Sequence, residues 1–64
     1  MKFEVNNPYY NNSYETDEIT MDRWKNFLEN HQRGNEDTIF FTDQNTKKVI
    51  SINPKNFASI EVSE

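Results

Sequence analysis

A chain of 64 residues without a single cysteine has no disulfide to hold it together, and this limits its fold more than any other feature. Below roughly 70 to 80 residues one hydrophobic core rarely supplies more than about 3 to 5 kcal/mol. A domain of this size buries only about 60% of the surface that its unfolded chain exposes. Thiolate zinc sites are excluded along with the disulfides. With His31 as the one imidazole, a structural zinc would need three carboxylate ligands, an uncommon donor set. Aromatic packing or a partner subunit must therefore supply the missing stability. Five Phe, three Tyr and Trp24 provide the rings, each able to bury about 150 to 250 Å². One small domain over residues 1–64 is expected.

The charge is unevenly placed. Residues 1–22 carry Glu4, Glu15, Asp17, Glu18 and Asp22 against Lys2 alone, whereas residues 23–64 balance six acids with six bases. The whole excess of −4 thus lies in the first third, as an acidic face or arm suited to steering toward a basic partner. A solvated loop that keeps a small protein soluble would show the same pattern. Nonspecific nucleic-acid binders more often carry a basic patch, so direct DNA or RNA binding is not the expectation. No stretch approaches the roughly 20 apolar residues of a membrane span, and no basic region followed by an apolar one opens the chain. The expected setting is cytoplasmic, with no membrane association.

Along the chain, "KFEV" at 2–5 alternates Phe3 and Val5 with charged residues, the mark of a half-buried strand. The segment "NNPYYNNSYETDE" at 6–18, rich in Asn and interrupted by Pro8, reads as an acidic Tyr/Asn-rich loop. Loops of that length in small domains tend to be functional or disordered, and Tyr9, Tyr10 and Tyr14 argue against disorder. "ITMDRWKNFLENHQRG" is the clearest helix. With Thr20 as N-cap, Ile19 and Trp24 take the positions of a hydrophobic staple. Trp24, Phe27, Leu28 and His31 then share one face. Arg33 complements the helix dipole, and Gly34 suits a left-handed C-terminal cap.

Three strands are expected to follow, in "TIFFTD", "KKVISI" and "FASIEV", joined by "DQNT" and "NPKN" turns. Because side chains alternate along a strand, either Ile39 and Phe41 or Phe40 and Thr42 face the core. The predicted class is α+β, β-loop-α-β-β-β, with one helix packed on a small three- to four-stranded antiparallel sheet.

Catalytic groups are sparse. A nucleophile with its base needs an imidazole or carboxylate beside a Ser, Thr, Cys or Lys, and His31 sits on the apolar side of its helix. A single glycine cannot build a glycine-rich phosphate cradle. Asp17, Glu18 and Asp22 favour the positive end of the helix dipole. "DQNTKK" lacks the glycine and distal glutamate of a calcium loop. No enzyme activity, cofactor or metal is expected.

The length, the ten asparagines, the "MDRWKNFLEN" helix followed by "IFFTDQNTKKVISINPKNFASIEV", and the acidic first third resemble the small proteins of phages and mobile elements in low-GC Gram-positive bacteria. The resemblance is one of composition and layout over the whole chain. That group includes anti-CRISPR inhibitors and DNA-mimicking inhibitors of repair enzymes. Together with the absent catalytic groups, the polarised charge and the Tyr- and Asn-rich loop, it leads to the expectation of a non-enzymatic inhibitor or modulator that acts in the cytoplasm of a bacterial host cell and binds a host protein, such as a nucleic-acid-processing enzyme or a CRISPR effector nuclease. The candidate contacts are Tyr9, Tyr10, Tyr14, Glu15, Asp17, Glu18 and Asp22, since tyrosine offers a large rigid contact surface and asparagine adaptable hydrogen bonds. Two further readings stand beside it. One is a homodimer or larger homo-oligomer acting as a structural or assembly module. The other is a small nucleic-acid binder using Phe40 or Phe57 with Lys47, Lys48 and Lys55.

Overall fold

The computed structural model describes residues 1–64 and shows an α+β fold of one helix and five strands. Strands β1 (Lys2–Asn7) and β2 (Tyr10–Glu15) form a hairpin. Helix α1 (Met21–Gln32) follows, then β3 (Ile39–Thr42) and β4 (Val49–Ile52). A 3₁₀ turn at Pro54–Asn56 leads into β5 (Ser59–Ser63). Two expectations need correction. The stretch at 6–18 is not one long loop, because Tyr10–Glu15 pairs along the whole of β1. The last three strands are not a meander either: β5 pairs antiparallel with β1, giving a sheet of order β2-β1-β5, while β3 and β4 form a separate two-stranded ribbon.

The hairpin forms for a local reason. Asn7 Oδ1 accepts the N–H groups of Tyr9 (2.9 Å) and Tyr10 (3.0 Å), the side-chain mimicry of a turn that Asn favours. Pro8 beside it has its φ already fixed. The helix begins as its sequence directs. Thr20 Oγ1 accepts the N–H of Arg23 at 3.1 Å, and Ile19 and Trp24 are both buried. It ends at Gly34, whose φ of +80° is a left-handed conformation that costs glycine little.

On the three-stranded sheet, Phe3 and Val5 face inward opposite Tyr14 and Asn12 on one side and Val62 and Ile60 on the other. Against that face pack Trp24 and Phe27 from the helix and Ile39, Phe41 and Ile52 from the ribbon. Phe3 is the junction, stacked on Phe41 at 4.9 Å and edge-on to Trp24 at 5.1 Å. Aromatic side chains thus supply half of the buried apolar cluster, which is how so short a chain builds a core. The opposite face, with Lys2, Glu4, Asn11, Ser13, Glu15, Ser59, Glu61 and Ser63, is polar throughout.

Candidate functional site

The ribbon decides the ambiguity between the two adjacent phenylalanines. Ile39 and Phe41 are buried, so alternation turns Phe40 and Thr42 outward, opposite Ser51 and Val49. Phe40 is 66% exposed and Val49 72%. The two form an apolar spot on the outer ribbon face, with a strand pair rather than a loop beneath them.

Its edge is acidic. The N–H of Thr42 points away from β4 and donates to Glu18 Oε2 at 2.8 Å. Glu18 is placed by its own N–H, which donates to Oγ1 of the buried Thr16 at 3.1 Å. Glu18 therefore lies along the free edge of β3, two residues from Phe40, with Asp17 next to it in the chain. At the turn end of the ribbon, next to Thr42 and Val49, stand the exposed Lys47 and Lys48.

A buried carboxylate fixes the ribbon against the sheet. Asp43 Oδ1 accepts the N–H of Glu15 at 2.9 Å, while Oδ2 accepts the N–H (3.0 Å) and hydroxyl (2.8 Å) of Thr46. The N–H of Gln44 completes the junction by donating to the carbonyl of Glu15 at 2.8 Å. These bonds favour the charged form. They hold the Asp43 carboxyl below the usual carboxylate range, the Glu15 N–H contributing most. On the helix side, Arg23 grips Glu36 with two N–H bonds (3.3 and 2.9 Å), and Asn30 adds a third at 3.0 Å. The Arg23 bond lowers the Glu36 carboxyl from its ordinary value and raises the guanidinium.

The seven residues anticipated as contacts do not share one surface. Tyr9, 94% exposed, and Tyr10 stand at the hairpin tip, where Tyr10 meets Phe57 edge-on at 6.4 Å. Glu15 is at the other end of β2, about 17 Å away at the rise of a strand. Tyr14 points to the core side and lies 6.1 Å from Phe41, so most of its ring is taken up in packing. Glu15 offers its backbone to Asp43 and Gln44, and its side chain shares the polar face with Lys2. Asp22 is exposed in the first helical turn. Glu18 is the one that the fold ties to the ribbon, at Thr42, two residues along the strand from Phe40, and Asp17 precedes it in the chain.

Two depressions mark the surface. One, of roughly 410 Å³, lies on the polar sheet face and includes Lys2, Glu4, Glu15 and Glu61. The other, roughly 250 Å³, is an apolar groove between the helix and β5, walled by Trp24, Leu28, Phe57 and Ile60. His31 is outside both: its Nδ1 lies 2.9 Å from the Glu36 carbonyl oxygen, and its ring packs 5.7 Å from Phe27. No helix is long and apolar enough to cross a membrane. Fold and surface together define a small α+β domain with an exposed aromatic spot and an acidic margin. Against known proteins, the chain matches no family model, no curated protein and no solved structure.

Proposed function

We propose that this chain is a non-enzymatic protein-binding module, and that Phe40, Val49 and the acidic margin at Asp17 and Glu18 form its contact surface. The observation that carries the reading is the exposure of Phe40. The core is filled by Phe41, Phe3 and Phe27, so the ring of Phe40 contributes nothing to it and has a cost in solubility. An aromatic anchor surrounded by polar groups is the arrangement that dominates the energetics of many protein interfaces. Carboxylates beside it favour a partner whose pocket has a basic rim and speed the encounter with it.

Within that class, the specific form we propose is an inhibitor or modulator from a phage or mobile element that acts on a host nucleic-acid enzyme, such as a CRISPR effector nuclease. Size, asparagine content and the acidic first third support this form. Lys47 and Lys48 share the ribbon with Phe40 and favour a second reading, nucleic-acid stacking on the Phe40 ring. Against it stands the Glu18 carboxylate on the same ribbon edge.

The test is capture from a Gram-positive bacterial lysate with the tagged chain and with Phe40→Ser, each with and without nuclease treatment. One stoichiometric protein that survives nuclease and is lost with Phe40→Ser is the expected result. Equal recovery by both baits would overturn the assigned surface. Partners lost on nuclease treatment would shift the reading to nucleic acid, and recovery of the chain alone to self-assembly.

A further inference from the structure

A second surface, independent of Phe40, lies at the outer edge of β5. Met1 and Thr16 exchange both main-chain bonds, at 2.8 and 2.9 Å, which sets the alternation in β1. The main-chain groups of Phe3, Val5 and Asn7 then turn toward β2, and those of Lys2, Glu4 and Asn6 toward β5. By the register, Ser63, Glu61 and Ser59 answer from β5. The N–H and C=O groups of Ile60 and Val62 are left pointing away from the sheet. No further strand lies beyond β5, and no loop or side chain bonds to these groups.

The apolar groove opens beside that edge. Trp24 and Leu28 form its helix wall, Pro54, Phe57 and Ala58 its end, and Ile60 its strand wall. A strand added at β5 would stand about 4.8 Å from it. Its residue opposite Ile60 would point its side chain to the groove side, as Ile60 does. An unpaired edge supplies main-chain bonds and an adjoining pocket supplies selectivity, the two requirements of recognition by strand addition.

The other face of the sheet specifies the residue between. Glu4 lies directly opposite Glu61, a like-charge pair that weakens a sheet. The added strand would place its central residue beside Glu61, in the same row. A lysine or arginine there neutralises the pair. A second copy of this chain does the reverse. In the register that pairs both β5 strands along their full length, Glu61 would face its own counterpart and set four carboxylates in one row.

We infer that the β5 edge is a docking site for an extended segment of another protein with the pattern apolar–basic–apolar, the apolar side chains directed to the Trp24–Leu28 groove and the basic one to Glu61. The test is ¹H–¹⁵N titration of the whole chain with two capped peptides, Thr-Val-Lys-Val-Thr and Thr-Val-Glu-Val-Thr. The lysine peptide is expected to give saturable shifts at the Ile60 and Val62 amides and the Trp24 indole, and to bind roughly fivefold more tightly than the glutamate peptide. Glu61→Lys should invert that order and Glu61→Gln should level it, while Phe40→Ser should leave both titrations unchanged. The inference is overturned by absence of saturable shifts at millimolar peptide. Shifts centred on β2 or β4, or equal binding of the two peptides by the parent chain, would overturn it as well.

Discussion

Asp43 shows how one side chain joins two parts of the fold that are far apart in the sequence. As the first residue of a "DQNT" turn it is unremarkable, and its bonds to Thr46 are those of an ordinary turn. Its bond to the Glu15 N–H, 28 positions away, ties the ribbon to the end of β2 and has no local signature. The outward direction of Phe40 was equally closed to sequence reading, because two adjacent aromatics on a strand satisfy the alternation in either phase. The pH dependence follows from Asp43's lowered carboxyl. A group whose native pKa lies below its unfolded value adds stability that is complete above the unfolded value and lost as pH falls through the native one. Asp43→Asn keeps the shape but replaces an acceptor oxygen with a donor. Its melting temperature should fall below that of the parent at neutral pH, and the gap should narrow as pH drops through and beneath the ordinary carboxylate range. A gap that stays constant across that range in a thermal-melt series would show that the carboxylate's charge is irrelevant.

At the level of elements, helix α1 was legible because several independent signals agreed. The Thr20 cap, the Ile19–Trp24 staple, the Trp24–Phe27–Leu28–His31 stripe and Gly34 all specify the same boundaries. Thr20→Ala should cost about 1 kcal/mol, seen as a lower denaturation midpoint with an unchanged slope. An unchanged midpoint would mean that the staple alone sets the start of the helix. Strand β2 was not legible. Its inward positions are Tyr10, Asn12 and Tyr14, and asparagine is depleted in strands, so the alternation is broken at its centre. What makes it a strand is β1, whose Phe3 and Val5 need a neighbour on that side. The Asn7-Pro8 turn is the one local cue, and it sits at the two-residue spacing of a hairpin. The departure of β5 from the expected meander has a similar cause. Ile60 and Val62 pair with Val5 and Phe3 across almost the whole chain, and no window of local pattern contains both ends of such a ladder. The 3₁₀ turn, capped by Asn53 Oδ1 on the Lys55 N–H at 3.1 Å, carries the chain from the ribbon back to β1.

For the molecule as a whole, the sequence's acidic third becomes three separate features: Glu4 and Glu15 on the polar sheet face, Asp17 and Glu18 along the ribbon, and Asp22 on the helix. Charge excess in a stretch of chain is therefore not the same as an acidic surface, because the fold distributes it. The tyrosines are divided in the same way, two at the hairpin tip and Tyr14 against Phe41. Composition pointed to protein binding, whereas the placement of the contact surface at Phe40 depends on burial, which composition does not report. The most direct test of that placement is hydrogen exchange along the chain, free and in complex with the protein captured from lysate. New protection is expected over residues 16–18, 38–42 and 49–51, the ribbon face and its acidic margin. Protection confined to the Tyr9–Tyr10 tip or to the polar sheet face, with the ribbon exchanging as in the free chain, would contradict it.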